Sequence, residues 1–142
     1  MANKINKHFE FKAIPTFGIT DYQTAINFYI DILGFKIDWE HRFTPTDPIY
    51  MQISMNALIL HLSENKRFEN KAIIFVETKN IREFHRELTE KNPATKVQDI
   101  VFTNWQTMQL EIQDPFGNLL RFNENIADKN DSHETTNDKL KL

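Results

Sequence analysis

The chain has 142 residues, a formal net charge of −3 and no cysteine. This length suits one domain with its own hydrophobic core, and the absence of cysteine excludes disulfides, thiolate nucleophiles and thiolate metal ligands. The mildly acidic charge argues against nucleic acid as a partner, because surfaces that bind phosphates carry a basic excess. The N-terminal residues lack the long apolar run of a signal peptide or membrane anchor, so we expect a cytoplasmic protein without a membrane partner.

The first half of the chain is predicted to form a strand, a helix and three more strands. Residues 20–34 place apolar side chains at helical spacing, with Thr20 and Gln23 fitting a capping box and Gly34 ending the helix. The predicted strands are residues 12–18, 35–43, 49–54 and 57–63. In the second of these, alternation predicts one shared face for Phe35, Ile37, Trp39, His41 and Phe43.

The second half repeats this order of elements. A strand at residues 71–77 precedes a helix that Asn80 and Glu83 are predicted to cap and that ends near Pro93, and strands follow at residues 98–102, 107–113 and 119–124. The sequence therefore predicts an α+β fold with two βαβββ modules, residues 11–65 and 70–124, in a single domain of residues 11–124. Residues 1–10 form an N-terminal segment, and residues 125–142 are predicted to be a polar, flexible tail that carries no site.

Two short phrases point to a family. Phe-Tyr-Ile-Asp-Ile-Leu-Gly-Phe, at residues 28–35, ends the first helix, and Asp-Pro-Phe-Gly-Asn, at residues 114–118, joins the last two strands. Either phrase alone also fits a buried helix face with a glycine cap, or a tight turn. Together, with the repeated order of elements, they resemble the vicinal oxygen chelate superfamily, which includes glyoxalase I, extradiol dioxygenases and bleomycin-resistance proteins.

The resemblance covers residues 11–123 and is greatest to the bleomycin-resistance branch. The features that match this branch, in order, are Leu33-Gly34-Phe35, Asp38-Trp39, the run at residues 58–63, Trp105 and the phrase at residues 114–118. The resemblance implies a glyoxalase/bleomycin-resistance fold, in which the modules form a cup-shaped mixed sheet with helices on its outer face. It also implies a homodimer whose sites use both chains.

Metal-dependent members of the superfamily hold a divalent ion with His, Glu or Gln side chains that project from the strands. The positions that match those ligands carry Ile14, Ile73 and Arg121 in this chain. Two hydrocarbon side chains cannot bind a metal, and a guanidinium repels one. The resemblance therefore implies neither a metal nor another cofactor, and no enzymatic activity. A lyase, isomerase or dioxygenase with atypical metal ligands remains the alternative.

Without a metal, aromatic faces and carboxylates suit a planar or cationic small molecule such as bleomycin. The resemblance places Asp38, Trp39 and Phe43 in a ligand groove and implies that Trp105 comes from the partner subunit. Alternation turns His61 away from the apolar face of its strand, and Tyr50, Glu111 and Arg121 are further candidates, with Gln52 beside them.

Four of these candidates also have a structural reading. Trp39 and Phe43 could pack in the core, His61 could hydrogen-bond to a neighbour, and Arg121 could be neutralised by Glu111. The function predicted from the sequence is sequestration of an antibiotic by a metal-independent homodimer. A relative that binds an endogenous metabolite, with no role in resistance, is a further alternative.

Overall fold

Eight strands form two four-stranded sheets in the computed structural model, which describes residues 8–126. The first sheet has the order β1-β4-β3-β2 and contains β1 (Thr16–Gly18), β2 (Lys36–His41), β3 (Tyr50–Met55) and β4 (Leu58–Ser63). The second has the order β5-β8-β7-β6 and contains β5 (Ile73–Glu77), β6 (Val101–Phe102), β7 (Thr107–Gln113) and β8 (Leu119–Asn125). In each sheet the first strand is parallel to the last and the other pairs are antiparallel. The predicted α+β class and repeated order are confirmed.

The helices lie between the first and second strands of each module. A single turn, α1 (Tyr22–Ala25), continues as a π-helix over Ile26–Ile32, and the second module contains α2 (Ile81–Lys91). A 3-10 turn at Lys66–Phe68 links the modules. No helix within residues 8–126 has the length and apolarity to cross a membrane. The predicted tail lies almost wholly outside the described residues, and the domain boundaries stay a prediction.

The predicted cap of the first helix is wrong, and the second predicted cap, Asn80, is at the N-cap position of α2 but does not cap it through its side chain. The first helix is capped by Asp21 and not by Thr20, because the Asp21 carboxylate accepts hydrogen bonds from the backbone N–H and the hydroxyl of Thr24, at 2.8 and 2.7 Å. Asn80 has a left-handed backbone with φ of 63° and makes no capping bond through its side chain. The carboxylate of Glu124 caps α2 in its place, accepting from the backbone N–H of Ile81 at 2.8 Å. Gly34, with φ of 93°, does take the predicted left-handed conformation.

Two strands are shorter than predicted. The strand expected from residue 12 begins at Thr16, because Pro15 has no N–H to donate and only its carbonyl bonds to β4, at the backbone N–H of His61. The strand expected over residues 98–102 is reduced to Val101–Phe102. The carbonyl of Gln98 instead accepts a hydrogen bond from Nε2 of His85, on α2, at 2.9 Å.

The core lies on one face of each sheet and is covered by the helices. Its fully buried residues from both modules include Phe17, Tyr29, Met51, Ile53, Leu60, Leu62, Ile81, Leu110 and Leu120. On β3 and β4 these side chains alternate with Tyr50, Gln52 and His61. We call the face that carries these three residues the open face of the first sheet.

The two phrases that point to the family meet in the structure. Tyr29 donates its hydroxyl to Asp114 at 2.6 Å, and the Asp114 carboxylate also accepts from the backbone N–H groups of Phe116 and Asn118. The side-chain amide of Asn118 then donates to the carbonyl of Gly18 and accepts from the N–H of Ala72, both at 3.1 Å. This buried network joins the helix of the first module to the last turn of the second.

Candidate functional site

A β-bulge in β2 creates the most distinctive feature of the open face. Ile37 lies opposite the buried Ile53, but Trp39 lies opposite Gln52, so Asp38 is an extra residue in the ladder. Because of this bulge, Asp38 and Trp39 both project onto the open face, where Asp38 bonds to Gln52 and Trp39 packs against Tyr50. The predicted single face from Phe35 to Phe43 is therefore wrong, since the alternation reverses at the bulge.

Hydrogen bonds link the polar side chains of the open face in one chain. The carboxylate of Asp38 accepts from the amide of Gln52 at 3.1 Å and from the hydroxyl of Ser54 at 3.0 Å. The amide oxygen of Gln52 lies 3.0 Å from His61 Nε2, and His61 Nδ1 lies 2.8 Å from the hydroxyl of Tyr50. The Tyr50 hydroxyl lies 3.3 Å from that of Thr16, which completes the chain.

The ionised carboxylate of Asp38 sets the direction of every bond in this chain. A carboxylate only accepts, so Gln52 must turn its NH₂ group toward Asp38 and its oxygen toward His61. His61 therefore carries its proton on Nε2 and accepts the hydroxyl proton of Tyr50 at Nδ1. A neutral His61 fits this pattern, whereas a protonated one would turn an N–H toward the Tyr50 oxygen.

The pKa values agree with these protonation states. Hydrogen bonds from Gln52 and then Ser54 lower the pKa of Asp38 below its usual range, so it is ionised near neutral pH. Partial burial lowers the pKa of His61, which favours its neutral form. Asp38 therefore supplies a negative charge next to aromatic rings, and the largely exposed ammonium group of Lys36 lies 3.7 Å from its carboxylate.

Trp39 is the aromatic centre of this face. Its ring stacks on Tyr50 with centroids 5.9 Å apart and an angle of 15°, and it meets the edge of His61 at 5.2 Å. Trp39 remains 41% exposed, so the alternative that it packs in the core is wrong. Phe43 is 86% exposed and packs only against His41 among the aromatic residues described, so it is neither in the core nor in this cluster.

The other predicted site residues lie on the second module. Arg121 forms an ion pair with Glu111 at 3.2 Å and donates to Gln109 at 3.1 Å, as the alternative reading of Arg121 expected. Trp105 is 56% exposed, in the turn between β6 and β7. No ring or hydrogen-bond contact among the described residues joins these side chains to Trp39 or Asp38.

Of the predicted site residues, the structure brings Asp38, Trp39, Tyr50 and His61 together. Sequence reasoning overlooked Thr16 and Ser54 and treated Gln52 as a lesser candidate. The sequence does indicate Gln52 and Ser54, because polar side chains follow Tyr50 at every second residue of β3.

The donor atoms of this face do not fit a metal ion. Within residues 8–126 there is no group of three or more His, Asp or Glu side chains placed to hold one. His61 and Asp38 both form hydrogen bonds with the side-chain amide of Gln52, so the atoms that could bind a metal are engaged in these bonds. Ile14 and Ile73 offer no donor, and Arg121 is a cation engaged by Glu111.

Two βαβββ modules that pack helices against one face of their sheets and leave the other face open define a small α+β protein with a cup-shaped fold. A family model described as "Glyoxalase superfamily protein" matches residues 3–129. The chain therefore belongs to the glyoxalase superfamily. No curated protein matches the chain.

Solved structures of the same fold include enzymes and binding proteins. A glyoxalase-related enzyme from Clostridium phytofermentans is 18% identical with a TM-score of 0.67, over 84% of this chain and 98% of that one. The bleomycin-binding protein of Streptomyces verticillus, in complex with copper(II)-bleomycin, is 19% identical with a TM-score of 0.60, over 80% of this chain and 95% of that one. An antibiotic-binding protein from Streptomyces sp. CB03234 is 17% identical with a TM-score of 0.60, over 83% of this chain and 99% of that one. At these identities the likeness concerns the fold alone.

Proposed function

We propose that this protein binds a planar or cationic small molecule on the open face of the first sheet and sequesters it without a metal or a chemical step. The observation that carries the proposal is the position of Trp39, whose partly exposed ring is held by Tyr50 and His61 beside the ionised Asp38. A fixed aromatic ring and a carboxylate together recognise a flat molecule with a positive charge. Antibiotics of the bleomycin kind have this chemistry, and the bleomycin-binding and antibiotic-binding proteins share the fold.

The proposal includes a cytoplasmic homodimer. Ile73 on β5 and Val101 on β6 are 67% and 58% exposed at the two opposite edges of the second sheet, and Trp105 adds a 56% exposed indole. Exposed side chains of this size and apolarity favour burial against another protein. A second copy of the chain would cover them and bring its Trp105, Glu111 and Arg121 toward the first sheet of its partner. The expected check is sedimentation of a dimer that a Val101→Asp substitution dissociates.

Titration with metal-free bleomycin tests the proposed function. We expect saturable binding at about one ligand per chain, measured by calorimetry, in protein whose metal content is determined on the same sample. Trp39→Ala should weaken binding by about 1–3 kcal/mol, because the stacking surface is lost while the substituted side chain is already partly exposed. Asp38→Asn should weaken it through loss of the charge at nearly constant shape.

Matched variants separate this site from general effects. Phe11→Ala removes another aromatic side chain, 85% exposed and outside the cluster, and should leave binding unchanged. Trp105→Ala should weaken binding to a similar degree as Trp39→Ala if the partner subunit completes the site. Equal affinity of the wild type and both tryptophan variants would refute the site. Stoichiometric metal without binding of bleomycin would favour the enzyme alternative. Protein that neither contains metal nor binds bleomycin would favour an endogenous metabolite as the ligand.

A further inference from the structure

A cavity of about 930 Å³ lies at the junction of the two modules. Its walls are residues 12–15, the β3–β4 turn with its flanking residues 55–59, residues 74–80 at the end of β5, and part of α2. Neither Asp38, Trp39 nor any other member of the open-face hydrogen-bond chain lines it. The volume lies within the range of about 300–1,000 Å³ that is typical of sites for small organic molecules.

The cavity lies at the place where the corresponding turns of the two modules differ in length. In the second module the turn between β7 and β8 is the long Asp114–Asn118 segment, and Asn118 fills the space beside the end of β1. In the first module the turn between β3 and β4 is only Asn56–Ala57. This short turn leaves the matching space beside the end of β5 unfilled.

The lining of the cavity is apolar at its floor and charged at its rim. The floor is formed by the side chains of Ile14, Met55, Leu58, Ile74, Val76 and Phe84. At the rim, the carboxylates of Glu77, Glu83 and Glu87 outnumber the ammonium groups of Lys12 and Lys79. Only Glu83 among these carboxylates has an ion-pair partner within residues 8–126, the guanidinium of Arg86 on the same helix at 3.6 Å. Arg86 also pairs with Glu90 at 3.6 Å, so with both residues counted the carboxylates still exceed the cations by one.

We propose that this cavity is a second ligand site, which takes an elongated, largely apolar organic amine. The apolar body lies on the floor, where burial of hydrocarbon surface supplies the affinity. The ammonium group lies at the rim, where the excess of carboxylates favours a cation over an anion of the same size. The site does not depend on the open face of the first sheet, so it can exist whether or not the proposed function is correct.

A matched pair of fluorescent probes tests the site. Dansylcadaverine carries an apolar ring system and a terminal amine, and dansyl-6-aminohexanoate carries the same rings with a terminal carboxylate. We expect the amine to bind with a blue shift and enhanced emission, and the carboxylate to bind at least about fivefold more weakly. Ala57→Phe, at an exposed turn position that lines the cavity, should fill the space and weaken amine binding at least about tenfold.

Control variants make the result specific. Ala94→Phe is the same change at an exposed position outside the cavity and should leave binding unchanged. Glu87→Lys should weaken amine binding about fivefold, whereas Glu90→Lys, on the same helix but outside the lining, should not. Unchanged affinity in Ala57→Phe would overturn the proposal. Loss of binding in Trp39→Ala would also overturn it, since the probe would then occupy the open face.

Discussion

Replacing Tyr29 by Phe tests whether the buried junction between the modules stabilises the fold. Tyr29 is fully buried, and its hydroxyl donates to the Asp114 carboxylate at 2.6 Å. A hydrogen bond to a charged acceptor contributes about 1.5–3 kcal/mol. Because Asp114 keeps three other donors, from Phe116 and Asn118, its carboxylate is not left unsatisfied. We therefore expect Tyr29→Phe to lower the free energy of unfolding, measured in urea, by about 1.5–2 kcal/mol, near the lower end of this range.

The pH dependence tests whether Tyr29 is buried as the neutral phenol beside Asp114. Burial and then the charge of Asp114 raise the pKa of Tyr29 far above its ordinary value of 10.0. The folded protein thus holds this proton more tightly than the unfolded chain, so the stabilisation is fully present below pH 10 and is lost as the pH rises further. The difference in stability between the wild type and Tyr29→Phe should therefore shrink above that pH.

Tyr22→Phe is the matched control. Tyr22 also donates to a carboxylate, that of Glu40, but this bond is exposed, and water can replace it. We expect Tyr22→Phe to change the free energy of unfolding by no more than about 0.5 kcal/mol at neutral pH. The reasoning would be refuted if the two variants lost equal stability, or if the loss in Tyr29→Phe stayed constant as the solution was made alkaline.

Further predictions concern a cap, a close contact and a histidine. Asp21→Ala should lower the free energy of unfolding by about 1 kcal/mol in urea, whereas Thr20→Ala should not, because Asp21 alone caps the first helix. Gly18→Ala should cost about 3 kcal/mol or more by the same measurement, because its Cβ would lie 1.8 Å from the carbonyl oxygen of Phe68. The lowered pKa of His61 means that the unfolded chain binds its proton more readily, so stability should fall as the pH drops below 6.5. His61→Gln should remove that part of the pH dependence. If the stability of this variant fell equally below pH 6.5, the pH dependence could not be assigned to His61.

The order of elements could be read from the sequence because it depends on local patterns. Apolar spacing, Gly34 and the turn residues 114–118 each act over a few neighbouring positions, and they led to the correct strands and helices within a few residues. The caps were missed for a different reason. Asp21 and Thr20 are adjacent residues of similar capping ability, and the cap of α2 comes from Glu124, which is 43 positions away in the chain.

The arrangement of the open face could not be derived from alternation, because its geometry depends on one irregularity. A regular strand would place Asp38 and Trp39 on opposite faces, and only one of them could then reach a ligand. The bulge at Asp38 turns both toward Gln52 and Tyr50, so the charge and the aromatic ring meet on one surface. The hydrogen bonds of Asp38 to Gln52 and Ser54 in turn hold the bulge, since they tie the extra residue to β3. The same side chain therefore shapes the backbone of the candidate site and supplies its charge, which makes Asp38→Asn informative about charge and Asp38→Ala informative about the bulge.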